Sequence, residues 1–73
     1  MKVKIVAPNQ TELITDNMIV FFSYNTPVAA DILGHYYRTS KKWSVTTSKH
    51  INQWLDGVKA EVRDQDFFDN LIK

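Results

Sequence analysis

A chain of 73 residues with no cysteine has few routes to a stable fold. At this length a domain buries only about 60% of the surface that its unfolded chain exposes. The usual supplements are disulfides, a bound metal or a partner subunit. Disulfides and thiolate metal sites are ruled out here, so stability must come from a dense apolar core, with oligomerisation as the remaining supplement. The composition can supply that core: 44% of the residues are hydrophobic and 12% aromatic, against two glycines and two prolines. We read one globular domain over residues 1–73, and the lack of cysteine suits a reducing compartment.

Hydrophobic periodicity divides the chain. Val3 and Ile5 alternate with Lys2 and Lys4, the period-two pattern of a half-buried strand, and Pro8-Asn9-Gln10 breaks it. A short strand over 11–15 precedes the turn residues Asp16-Asn17. The segment Met18–Tyr24 is the strongest strand, with Val20, Phe22 and Tyr24 on one face and Ile19 and Phe21 on the other. A strand apolar on both faces is central in its sheet or gives its second face to a partner. Residues 28–33 would also suit a helix, but they are short and run into Gly34, so we expect a strand and a hairpin into 35–39.

The C-terminal part reads as helical. Thr46-Thr47-Ser48 offers capping hydroxyls for a helix near 47–56, where Ile51, Trp54 and Leu55 form one stripe and Gly57 is the expected cap. Val58 is placed to fold back on that stripe. Asp64 can cap a second helix near 65–72 carrying Phe67, Phe68, Leu71 and Ile72. The expected class is α+β: a small, mostly antiparallel sheet of about four to five strands, with two C-terminal helices packed on one face. The expected core joins Ile5, Ile19 or Val20, Phe22, Ile51, Trp54, Leu55, Phe67, Phe68 and Leu71.

Motifs for catalysis are missing. The chain contains no HExxH, phosphate-binding or dinucleotide-binding loop, and only two histidines, His35 and His50. Ser48 and His50 are two apart on a helix and diverge, so they form no nucleophile–base pair. Asp64, Asp66 and Asp69 make a magnesium site on paper, but a capped helix with its charges in water is the better reading. We expect no enzyme, no metal and no cofactor.

One segment concentrates residues suited to binding. Between Tyr36 and His50, four cations (Arg38, Lys41, Lys42, Lys49) interleave with three aromatics (Tyr36, Tyr37, Trp43) and six hydroxyls, ahead of a helix start. Cations attract phosphates, aromatic faces stack bases, and free N–H groups at a helix start bind anions. The candidate binding residues are therefore Tyr36, Tyr37, Arg38, Lys41, Lys42, Trp43, Lys49 and His50. The competing reading makes Lys41-Lys42 a solvated loop, puts Trp43 and one tyrosine in the core, and uses the hydroxyls as caps. Charge is also uneven along the chain. Residues 31–50 hold four basic groups and one acid, whereas residues 51–73 hold three basic groups and five acids.

Phe22-Ser23-Tyr24-Asn25-Thr26-Pro27-Val28-Ala29-Ala30, together with Tyr36-Tyr37-Arg38-Thr39 and Lys41-Lys42-Trp43-Ser44-Val45-Thr46-Thr47-Ser48-Lys49-His50-Ile51-Asn52-Gln53-Trp54-Leu55, resembles a family of small uncharacterised proteins of tailed bacteriophages. The shared pattern pairs SYxTPVA with SxTTSKHIN and covers roughly residues 18–58. The resemblance brings no site residue with it. It implies a phage accessory protein that binds a host or phage protein, as host-takeover and anti-defence proteins do. The alternative is a small nucleic-acid-binding protein using segment 36–50, and a third reading is a homodimer built through the second apolar face of Met18–Tyr24. The start lacks the apolar stretch of a signal peptide, and the longest apolar run is too short to span a membrane. We expect a soluble protein of the cytoplasm, the host's if the chain is phage-encoded, with no membrane partner.

Overall fold

Alternating side chains and tight turns build a six-stranded sheet, in a computed structural model that describes residues 1–73. Five antiparallel strands follow in chain order: β1 (Lys2–Ala7), β2 (Gln10–Ile14), β3 (Met18–Ser23), β4 (Thr26–Ile32) and β5 (His35–Thr39). The connections are short because their residues accept left-handed backbone: Asn9 at φ 63°, Tyr24 at 57°, Leu33 at 53° and Gly34 at 87°. The Leu33-Gly34 hairpin is where the sequence put it, and the strand expected over 28–33 is present as β4, which starts two residues earlier and ends at Ile32, with Leu33 in the turn.

Helix α1 (Val45–Leu55) then carries the chain across the sheet, and β6 (Glu61–Arg63) returns parallel to β5. Parallel neighbours require such a crossover. Helix α2 (Gln65–Leu71) closes the chain. Its expected cap is present, with Asp64 Oδ1 accepting from the Phe67 N–H at 3.1 Å. The cap of α1 lies two residues ahead of the expected hydroxyls: Ser44 Oγ accepts from the Thr47 N–H at 3.0 Å. At the other end Asp56, at φ 49°, takes the cap position before Gly57, and Val58 is exposed rather than folded onto the stripe.

The register defines two faces. Lys4, Glu12, Phe21, Ala29 and Arg38 stand side by side on one, and Val3, Leu13, Val20, Ala30 and Tyr37 on the other. Trp54 of α1 stacks on Phe21 with centroids 5.1 Å apart, and Asn52 of α1 accepts from Arg38. Phe67 of α2 packs on Tyr37, and Gln65 accepts from Thr39. Residues 36 and 38 thus face α1 while 37 and 39 face α2. The α+β class holds, a mostly antiparallel sheet with two C-terminal helices, but the helices take one face each instead of sharing one.

The core is divided accordingly. On the α1 face Phe21, Val28, Ala29, Ile51 and Leu55 cluster, with Tyr36, Trp54 and Ala60 packed against them. On the α2 face Val20, Ala30 and Phe68 are fully buried. Val28 is the extra residue of a bulge between the Phe21–Ala29 and Phe22–Pro27 pairs. Of the expected core, Val20, Ile51, Leu55 and Phe68 are buried, whereas Ile19, Phe22, Trp54, Phe67 and Leu71 are half-buried. Ile5 is a correction: it is 78% exposed, because α2 lies over β4 and does not reach β1.

Trp54 ties the α1 face together. Besides stacking on Phe21 it meets Tyr36 edge-on at 6.0 Å, and its indole N–H donates to Glu12 Oε2 at 2.7 Å. Trp54→Ala is expected to lower the unfolding free energy in urea by about 3 kcal/mol, the low end for a large aromatic, because the ring is half-buried. Trp54→Phe should recover most of that loss, keeping the stack and losing only the bond to Glu12.

Candidate functional site

Segment 36–50 is continuous in sequence but is dispersed by the fold. Tyr36 and Tyr37 alternate on β5, so their rings point to opposite faces. Tyr36 packs on Trp54, and its hydroxyl is pushed above the ordinary tyrosine range by the cross-strand Asp31 carboxylate, with burial a smaller cause. It therefore stays neutral at physiological pH. Tyr37 lies against Phe67, with the Arg63 guanidinium 5.8 Å from its ring. Neither ring is free to stack on a base. Arg38 donates to Asn52 Oδ1 at 3.1 Å. Lys42 and Lys49 are exposed and take no part in an ion pair, the chain's ion pair being Arg63 with Glu61.

His50 is engaged with the sheet. Its Nδ1 lies 2.8 Å from Ser23 Oγ, and its ring is 5.9 Å from that of Tyr24. Ser23 Oγ is also 3.0 Å from Thr47 Oγ1. A serine beside a histidine suggests a nucleophile and its base, and no local pattern marks this pair, whose members are 27 residues apart. The geometry is that of a structural link. Ser23 is 2% exposed and shares its hydroxyl between two partners, and no carboxylate orients His50. The link holds the first turns of α1 to the end of β3.

What the fold does assemble centres on Trp43. The loop from β5 to α1 lays this indole beside α2, where its N–H donates to Gln65 Oε1 at 3.2 Å. Gln65 is fixed in turn, donating to the Pro27 carbonyl at 2.7 Å and accepting from Thr39. The Lys41 ammonium stands 4.1 Å from the centre of the Trp43 ring. Held this way, Trp43 still keeps 42% of its surface in solvent.

Two grooves meet at this ring. One, of about 530 Å³, is lined by Lys41, Gln65, Asp66, Asp69, Pro27 and Ile72 among others. The other, about 220 Å³, is lined by hydroxyls of Ser23, Thr26, Ser44 and Thr47, with Tyr24. Of the sequence candidates, Lys41 and Trp43 come together here. Nothing in the sequence marked Tyr24 or Gln65 as site residues, and Asp66 and Asp69 stood out only as part of a magnesium site on paper or as a solvated helix face. The one signal available was the i, i+3 spacing of Asp66 and Asp69 on one helix side, and nothing local tied them to Trp43.

The Ser23 link is testable. Ser23→Ala leaves Thr47 and His50 short of a partner in a part-buried setting and should lower stability by ~1–3 kcal/mol in a denaturant titration. Ser23→Thr, which keeps the hydroxyl, should lower it less.

No helix is long and apolar enough to cross a membrane. No curated protein and no solved structure matches the chain. A family model does match, over residues 1–70, which takes in β1 to β6, α1, all of α2 but its last residue, and Trp43 itself. The chain therefore belongs to a family of unknown function, DUF8033.

Proposed function

We propose that this protein is a non-enzymatic binding protein of the cytoplasm and that it engages another protein through the surface around Trp43. The observation that carries this reading is an indole fixed by Gln65 and Lys41 while 42% of it stays in solvent. A side chain held in place before a partner arrives loses little freedom on binding, and tryptophan is among the residues that most often dominate protein interfaces. The flanking grooves offer hydroxyls on one side and charges of both signs on the other, as the polar rim of such an interface does. The resemblance of residues 18–58 to small phage proteins supports a phage accessory role, with a host or phage protein as the partner.

A nucleic-acid reading keeps one observation in its favour: Lys41, Lys42 and Lys49 are exposed and free of ion pairs. Against it, Tyr36 and Tyr37 are committed to packing, and Asp66 and Asp69 would repel a phosphate beside Trp43.

Two measurements separate the readings. In a pull-down from host lysate, a protein partner should survive nuclease treatment and be lost with Trp43→Ala, while circular dichroism of the variant stays that of the wild type. A partner that Trp43→Ala retains would move the interface elsewhere. Binding to single-stranded DNA or RNA would instead weaken with salt, with a log–log slope of about −0.7 per phosphate, so roughly −2 for three lysines. No retention on either strand at low salt is the outcome we expect.

A further inference from the structure

The half of the α2 face that α2 leaves bare carries no charge. Two rows cross it: Val3 and Leu13, which run up to the buried Val20, and Ile5, Thr11 and Phe22. On the opposite face the same strands carry Lys2, Lys4 and Glu12. The bare half is also in water. Ile5 is 78% exposed, and Val3, at 64%, and Tyr24, at 49%, line a groove of about 240 Å³ with Leu13 and Phe22. Isolated apolar residues on a surface need no explanation, whereas the largest contiguous apolar patch of a chain is often functional.

We propose that this half-face packs on the same half-face of a second copy, about a two-fold axis, giving a homodimer in which two sheets lie face to face. This is independent of the Trp43 reading. Three observations choose a second copy over a foreign protein. A face with no charge is complementary to itself, since a two-fold axis brings no like charges together, and it has nothing with which to select a partner by charge. Val3, Ile5 and Tyr24 keep 64%, 78% and 49% of their surfaces in water around the half-buried Leu13 and Phe22, and this is the apolar surface that a two-fold pairing covers on each copy. Only 12 of 73 residues are buried within one chain, which leaves this fold in need of the supplement that a partner subunit supplies. The β1 edge is the less suitable route, because Lys2, Lys4 and the bulge between Ile5 and Ala7 are features that keep an edge strand from pairing. This places the dimer on a part of the α2 face, where the sequence pointed to a whole face free of helices.

Sedimentation equilibrium of the full chain at micromolar concentration tests it. The wild type should give twice the 8.5 kDa of the chain. Ile5→Asp should give the single-chain mass with unchanged circular dichroism, because Ile5 contributes almost nothing to the core of one copy. Lys4→Asp, on the other face, should keep the dimer. Because the chain has no cysteine, Ile5→Cys and Lys4→Cys give a second readout: the former should form a disulfide-linked dimer under oxidation and the latter should not. A wild type that stays at the single-chain mass would overturn the proposal and leave the patch to another protein. A dimer that Ile5→Asp leaves intact, or one in which both cysteines cross-link alike, would overturn it in favour of a different interface.

Discussion

The widths of sheet and helices do not match, and much of the structure follows from that. Six strands at about 4.8 Å spacing make a sheet roughly 24 Å across. The seven residues of α2 extend about 10 Å, and the eleven of α1 about 16 Å. Neither helix can cover a face alone, and splitting them leaves both faces part-covered. On the α1 face the uncovered strands carry Lys2 and Lys4, which water solvates at no cost, and Glu12 reaches inward to the Trp54 indole. On the α2 face the uncovered strands carry Val3 and Ile5. The two faces thus face the same geometric shortage with opposite chemistry.

The crossover from β5 to β6 has a second consequence. To place β6 parallel to β5 the chain must leave the sheet's end, travel along one face as α1 and return at the edge. Arg38, on the strand, and Lys49, on the helix, are thereby sent to different surroundings, and the loop between them is carried round to α2. Charge density counted along the chain therefore overstates what any ligand would meet. Near Trp43 the basic middle of the chain meets the acidic second helix, with Lys41, Asp66 and Asp69 lining one groove.

How much of this the sequence discloses depends on whether the signal is local. The hairpin at Leu33-Gly34 and the Asp64 cap rest on turn and cap chemistry within a few residues, and both were legible. The strand Met18–Ser23 was legible as two-faced, but its pattern does not say which face is sealed. Phe21 rather than Phe22 is fully buried because α1 brings Trp54 to its side. Ile5 follows the same logic in reverse: its alternation with Lys4 marks a face correctly, but only the reach of α2 decides whether that face is covered. Strand β6, three residues with one valine between Glu61 and Arg63, has no pattern of its own and exists because β5 offers it a free edge. The Trp43 surface joins residues from β4, the loop and α2, and no spacing in the chain records that meeting.

The placement of Trp43 depends in turn on how α1 is fastened. Toward its C-terminal end the helix is held by apolar contact, Ile51 and Leu55 with Phe21 and Ala29. Such contact is strong but non-directional, and it tolerates small slides along the sheet. Toward its N-terminal end the fastening is polar: Ser23 Oγ, almost fully buried, lies within 3.0 Å of Thr47 and 2.8 Å of His50, one turn apart on the helix. Hydrogen bonds have narrow distance and angle limits, so this end of the helix has one register on β3. Ser44 caps the helix through the Thr47 N–H, and Trp43 is the residue before it. The path from Ser23 to Thr47 to Ser44 thus sets where the indole begins, and Gln65 of α2 sets where it ends. An exposed tryptophan fixed from both sides by hydrogen-bonded polar groups is rigid without being sealed, which is the property that its proposed role in binding requires.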